Sequence, residues 1–120
     1  MQDFRRLTVW QRSHALALDV YRHTRDFPKD EQYGLSAQAR RAASSVCANL
    51  AEGCGRGRRR EFGQFVRVAS GSASELECHL LLAADLGFVD PGTRDHLAAS
   101  VTEVKRMLWG LQRALSKAED

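Results

Sequence analysis

Leu97-Ala98-Ala99-Ser100-Val101-Thr102-Glu103-Val104-Lys105-Arg106-Met107-Leu108-Trp109-Gly110-Leu111-Gln112-Arg113-Ala114-Leu115 is the stretch that decides the fold class. Its apolar residues Leu97, Val101, Val104, Leu108, Leu111 and Leu115 step by 4, 3, 4, 3 and 4. That is a seam of the kind that packs helices at about 20° in bundles. Asp90-Pro91 stands where the helix should begin, with Asp as a cap and Pro tolerated in the first turn. The spacing predicts a fourth helix over 91–117.

Working back along the chain, Phe62, Phe65, Ala69, Ser72, Leu76, Leu80 and Ala83 repeat the pattern, with Gly87 as a stop. They predict a third helix over 59–87. Inside it, residues 69–74 are all small, and Gly71 costs the helix up to about 1 kcal/mol relative to Ala. Close approach by another backbone would compensate. A second helix over 35–53 places Leu35, Ala39, Ala42, Ala43, Val46 and Leu50 on one stripe. A first helix over 7–26 shows Leu7, Trp10, His14, Ala17, Tyr21 and Thr24, and Phe27-Pro28 ends it. No stretch alternates with period two for long enough to be a strand. Short connections between helices of similar length predict an all-α, up-down-up-down antiparallel four-helix bundle, in one domain over 1–120.

Composition agrees with such a protein. The chain has 120 residues, 43% hydrophobic and 28% charged, enough for an unaided core. Its longest uninterrupted apolar run, Leu80 to Ala84, is far short of a membrane span, and Met1–Arg6 leads into nothing resembling a signal peptide. Three cysteines make no disulfide framework, so a cytoplasmic protein is expected. Formal net charge is +3, but its distribution is uneven. Residues 1–35 carry six cations and five anions, 36–67 seven and two, and 68–120 five and eight, so the segments are +1, +5 and −3. Fifteen of the 18 cations are Arg, whose planar fork suits phosphate; codon bias in a GC-rich genome is the other source of that preference.

The densest part of the basic segment is Gly53-Cys54-Gly55-Arg56-Gly57-Arg58-Arg59-Arg60, between the second and third helices. Three alternating glycines free the backbone. It is neither a dinucleotide fingerprint nor a P-loop, since no strand precedes it and no Gly-Lys-Ser/Thr follows. Arg58, Arg59 and Arg60 stand where a helix dipole disfavours cations, an arrangement explained by an anionic partner, either a polynucleotide or an acidic protein surface. Arg56 belongs to the same run, and Arg40 and Arg41 are secondary candidates. A solvated loop kept for solubility is the alternative. On the second helix Gln38, Arg41, Ser45, Asn49 and Glu52 form a polar stripe, which is either a solvated face or a polar network between helices or subunits, with Glu75 of the third helix among the candidate partners.

No catalytic signature is present. Cys47, Cys54, Cys78 and the histidines lack zinc-ligand spacing, and no Glu-x-x-His pair marks a di-iron site. His14, on the apolar stripe, is expected in a core or an interface. No catalytic residue, metal or cofactor is expected. Trp109 lies off the fourth-helix seam, and Val9 and Leu16 off the first-helix stripe, which points to surplus apolar surface buried against further copies, a wide apolar stripe within a monomer being the alternative.

Several stretches together resemble one family. They are Leu7-x-Val9-Trp10-Gln11, Val20-Tyr21-x-x-Thr24-x-x-Phe27-Pro28, Glu31-x-Tyr33-Gly34-Leu35 and Gln38-x-Arg40-Arg41-Ala42-Ala43-x-Ser45-Val46. Asn49-Leu50-Ala51-Glu52-Gly53, Glu61-Phe62-x-x-Phe65, Ala69-x-Gly71-Ser72-x-x-Glu75-Leu76 and Leu86-Gly87 continue the series. The chain looks like the four-helix-bundle proteins encoded in intervening sequences of bacterial 23S ribosomal RNA genes, related to the accessory variability determinant of diversity-generating retroelements. The match spans roughly residues 4–88, with the fourth helix agreeing in pattern only. The resemblance implies a homopentamer without catalytic activity; in the retroelement relatives a basic barrel binds nucleic acid and a reverse transcriptase. It also implies that Asn49, Glu52, Gly71, Ser72 and Glu75 serve packing and assembly. The expected function is therefore a non-enzymatic oligomer that binds RNA or DNA through phosphates, or else a protein-interaction scaffold for a nucleic-acid enzyme.

Overall fold

The computed structural model describes residues 3–117. Four helices follow one another: α1 (Thr8–Thr24), α2 (Leu35–Gly55), α3 (Arg59–Asp85) and α4 (Pro91–Lys117). Short 3-10 turns over Phe4–Arg6 and Lys29–Glu31 precede α1 and α2. Packing runs around the ring, α1 on α2, α2 on α3, α3 on α4 and α4 on α1, with no diagonal contact among the described residues. The result is the up-down-up-down bundle that the spacing predicts, 48 Å long and 22 by 20 Å across.

The core lies along the bundle axis. Leu50, Val66, Leu76, Val101, Val104 and Leu108 are fully enclosed, each side chain contributing about 1.5–3 kcal/mol of burial. The α4 seam is buried from Leu97 to Leu108 and becomes half-buried at Leu111 and Leu115, near the helix end. A second apolar cluster of Phe27, Leu35 and Ala83, flanked by Phe88 and Val89, closes the end where α1 turns into α2. There α3 stops in a Schellman motif: Gly87 N–H bonds to Ala84 O at 3.0 Å and Phe88 N–H to Ala83 O at 2.9 Å, with Gly87 at φ +79°.

Helix α1 is rotated from the expected stripe. Its buried residues are Val9, Ser13, Leu16, Ala17, Val20 and Thr24, whereas Trp10 is half-buried and His14 and Tyr21 are exposed. Rings with a polar edge sit at the margin of a core, where that edge keeps water. Trp10 stacks on His14 there, with centroids 4.7 Å apart, and the Arg40 guanidinium lies 5.0 Å from the Tyr21 ring centroid. The small polar residues go inside because they satisfy themselves: Ser13 Oγ donates to Val9 O and Thr24 Oγ1 to Val20 O, both at 2.7 Å. Val9 and Leu16 are thus core residues and not surplus surface.

The tightest helix contact is between α2 and α3, where Ala39, Ala42, Ala43, Ala69 and Ala73 are all buried. It closes at Gly53, where a Cβ would lie 2.6 Å from Phe65 Cβ and 3.0 Å from Phe62 Cδ1. The close approach expected at Gly71 is not there: Gly71 is exposed, and a Cβ on it would meet nothing within 4 Å. The two glycines should therefore respond in opposite directions. Gly53→Ala gains helix propensity of about 1 kcal/mol but suffers overpacking of about 1–3 kcal/mol. Chemical denaturation should show Gly53→Ala less stable than the parent and Gly71→Ala as stable or up to about 1 kcal/mol more so.

Candidate nucleic-acid interface

The up-down topology brings the start of α1, the end of α2, the start of α3 and the end of α4 to one pole of the bundle. Gly53, expected as the end of the second helix, and Cys54-Gly55, expected in the connection, form the last turn of α2, with Gly53 packed against Phe62 and Phe65. Of the three alternating glycines only Gly57 uses an unusual dihedral, φ +78°, just past the helix end. The connection shrinks to Arg56, Gly57 and Arg58, and Arg59 and Arg60 already belong to α3.

Arg56, Arg58, Arg59 and Arg60 are all exposed at this pole. Arg56 donates to Glu52 Oε2 at 2.8 Å, one turn back on α2, and its guanidinium lies 5.3 Å from the Phe65 ring centroid. Arg58 is the N-cap residue of α3, with φ −118° and ψ 136°, and its side chain makes no capping bond. Leu7 starts α1 at the same pole, also without a side-chain cap. At the opposite pole carboxylates fill that role: Asp90 Oδ1 accepts from Thr93 N–H at 2.7 Å on α4, and Glu31 Oε1 from Leu35 N–H at 3.0 Å on α2. The Thr93 amide, first, and the Thr93 hydroxyl hold the Asp90 carboxyl below its ordinary range. The two helix starts of the arginine pole thus lack a side-chain cap and stand beside exposed cations, with Glu61 the acid in the first turn of α3.

Residues the sequence leaves far apart join this pole. The turn Phe4–Arg6 packs against α2 and starts the chain at this pole, where Arg5 and Arg6 are exposed and Arg5 pairs with Asp3 at 3.1 Å. The buried Cys54 thiol feels that neighbour, being pushed up by burial first and by the charge of Asp3 second. Lys117, at the end of α4, completes the basic rim. Between the helix ends is a cleft of about 610 Å³, with Leu7, Phe62, Leu111 and Leu115 among its walls and Arg58 and Arg59 at its edge. Topology is the signal that finds Arg5 and Arg6: in an up-down bundle the chain start and the second connection share an end.

Arg40 and Arg41 are elsewhere. They sit in the first half of α2, about 24 Å of helix rise from Arg56. Arg40 Nε donates to Thr24 Oγ1 at 2.7 Å and Nη2 to Tyr21 O at 3.4 Å, tying α2 to the last turn of α1. Arg41 bridges Gln38 and Glu75, and His79 reaches the same Glu75 carboxylate at 3.0 Å. The His79 hydrogen bond, first, and then Arg41 hold the Glu75 carboxyl below its usual range. Farther along, Ser45 Oγ and Ser72 Oγ are 2.8 Å apart, and Asn49 Nδ2 donates to Ser45 O at 2.8 Å. The polar stripe of α2 is therefore a network with α3, in which Asn49, Ser72 and Glu75 take part.

The −3 balance of residues 68–120 does not gather into one acidic zone among the described residues. Glu77 pairs with Lys105, Asp95 with Arg94, Glu103 with Arg106 and Glu75 with Arg41. Glu119 and Asp120 lie outside the described residues. Trp109 is 59% exposed beneath Arg113, whose guanidinium is 4.6 Å from the ring centroid. Burial pushes the Cys47 thiol up to about 11. Among the described residues no three His, Cys, Asp or Glu side chains gather to hold a metal, and no helix is long and apolar enough to cross a membrane.

No curated protein matches the chain. Among solved structures it is similar to a crystal structure of a protein of unknown function from the S23 ribosomal protein family of Bacteroides thetaiotaomicron. The TM-score is 0.78 at 20% identity, covering 88% of this chain and 98% of that one, a likeness of fold. A family model described as 23S rRNA-intervening sequence protein matches residues 5–110, so the likeness extends through most of α4, beyond the 4–88 that motifs alone delimit. With the four-helix fold and these matched residues together, the chain belongs to the 23S rRNA-intervening sequence protein family.

Proposed function

We propose that this protein is a non-enzymatic, cytoplasmic four-helix bundle that assembles into a homopentamer and binds RNA or DNA through phosphates at its arginine pole. The observation that carries the reading is the N-terminus of α3, where Arg58 occupies a cap position without a capping bond and Arg59 and Arg60 open the first turn, with Glu61 its one acid. Ser, Thr, Asp or Asn there would stabilise the helix by about 0.5–2 kcal/mol. A sequence that forgoes this for exposed cations is suited to a ligand that brings its own anions. Arg56, Arg58, Arg59 and Arg60 are the main contacts; Arg5 and Arg6 reinforce the same field. Arg40 and Arg41 are secondary, since they lie about 24 Å of helix rise from Arg56. Such binding reads phosphate and not base sequence.

Self-association multiplies the arginine pole, and exposed Val68, Leu82, Leu86 and Trp109 supply apolar surface for it. The exposed Trp109 also supports the second reading, a scaffold for a protein partner such as a reverse transcriptase. A pull-down of a specific protein that survives nuclease treatment would favour that reading.

Two measurements bear on the first. With four phosphate contacts, affinity for mixed-sequence single-stranded RNA should fall about 50-fold as salt rises from about 50 to about 200 mM. Arg58→Asp should separate binding from folding, because it reverses a charge at the pole and installs a preferred cap. Melting temperature should rise and RNA affinity fall; RNA affinity equal to that of the parent would contradict the assignment. For assembly, light scattering at micromolar concentration should give five times the protomer mass, and a clean monomer would contradict it.

A further inference from the structure

The opposite pole has a basic feature of its own. Where α1 passes into α2, Thr24, Arg25, Lys29, Gln32, Ser36 and Arg40 line a cleft of about 220 Å³. Every charged group in its wall is a cation. The nearest helix-capping carboxylate, Glu31, is engaged by Leu35 N–H at 3.0 Å and is not part of that wall.

Two side chains in the cleft are built as donors. Arg40 is held in place by Thr24 Oγ1, Tyr21 O and the Tyr21 ring, which use two of its five N–H groups and leave three in a fixed fork. Ser36, in the first turn of α2, is only 5% exposed. Hydroxyls buried to that degree are normally hydrogen-bonded. Ser36 Oγ nevertheless has no partner among the described residues, and it is not sealed in the interior either, so it opens on the cleft.

We propose that this cleft binds a phosphate group. The Ser36 hydroxyl and the remaining Arg40 donors would hold its oxygens, with Arg25 and Lys29 at the exposed mouth. A phosphomonoester carries about −1.5 to −2 charges, which suits three cations better than a single carboxylate would. The group comes either from a free phosphate or mononucleotide, or from the 5′ end of a polynucleotide. The site is independent of the arginine pole, which lies at the other end of the bundle.

The test is a ¹H–¹⁵N titration of the full chain with inorganic phosphate at constant ionic strength. Parallel arms use a nucleoside 5′-monophosphate, a 5′-phosphorylated oligonucleotide and its 5′-hydroxyl counterpart. Saturable shifts of the Ser36 and Ala37 amides are expected. Ser36→Ala and Lys29→Gln should each weaken the binding of inorganic phosphate about tenfold or more. Because Arg40 also joins two helices, the Ser36 and Lys29 variants are the decisive ones. Tighter binding of the phosphorylated oligonucleotide than of its hydroxyl counterpart supports a polynucleotide end; equal binding of the two, with inorganic phosphate saturating, supports a small phosphate. Shifts that do not saturate, or that persist unchanged in both variants, would overturn the proposal.

Discussion

The contact between Gly53 and the two phenylalanines of α3 sets the geometry on which the candidate interface depends. Because α2 can lie so close to Phe62 and Phe65, it stays helical through Gly55, and only Arg56, Gly57 and Arg58 remain to reverse the chain. A longer, looser loop would spread its arginines over many conformations, with an entropic cost for each one fixed on binding. Here four of them are gathered at a helix start. Buried alanines along α2 and α3 extend the close contact, and the Ser45–Ser72 and Arg41–Glu75 pairs secure its outer edge.

Charge is organised by pole more than by sequence segment. At one end carboxylates of Glu31 and Asp90 meet the amides of starting helices, so those positive ends are neutralised within the chain. At the other, α1 and α3 start without side-chain caps among exposed arginines. The same chain therefore caps two helix starts with carboxylates and leaves the other two without a side-chain cap, with Glu61 the acid in the first turn of α3. The modest total of +3 conceals this, because the acids of α3 and α4 are mostly spent in pairs along the bundle sides.

Much of this was legible in the residues. The α4 heptad, the stops at Gly87 and Phe27-Pro28, and the small-residue stripes of α2 and α3 follow from side-chain size and period. So did the family, whose motifs are dense in the first three helices. The rotation of α1 was not legible, because a hydropathy pattern counts Trp10 and Tyr21 as apolar bodies and cannot see that their polar edges hold them at the rim. Nor could it show that Ser13 goes inside by bonding to Val9 O. Arg5 and Arg6 differ in another way: what places them at the pole of Arg56 is tertiary, and only the bundle topology supplies it. Gly53 and Gly71 look alike in sequence, yet one touches a neighbouring helix and the other faces open space.

Phosphate-backbone contact is expected mainly at the arginine pole, with the flank carrying Arg40 and Arg41 secondary. Ultraviolet cross-linking of the intact protein to single-stranded RNA with a 5′-hydroxyl end, followed by peptide mapping, tests this directly. Cross-links concentrated in the segments around Arg5–Arg6 and Arg56–Arg60 are the predicted result. Cross-links confined to residues 36–50, or scattered evenly over all four helices, would contradict it.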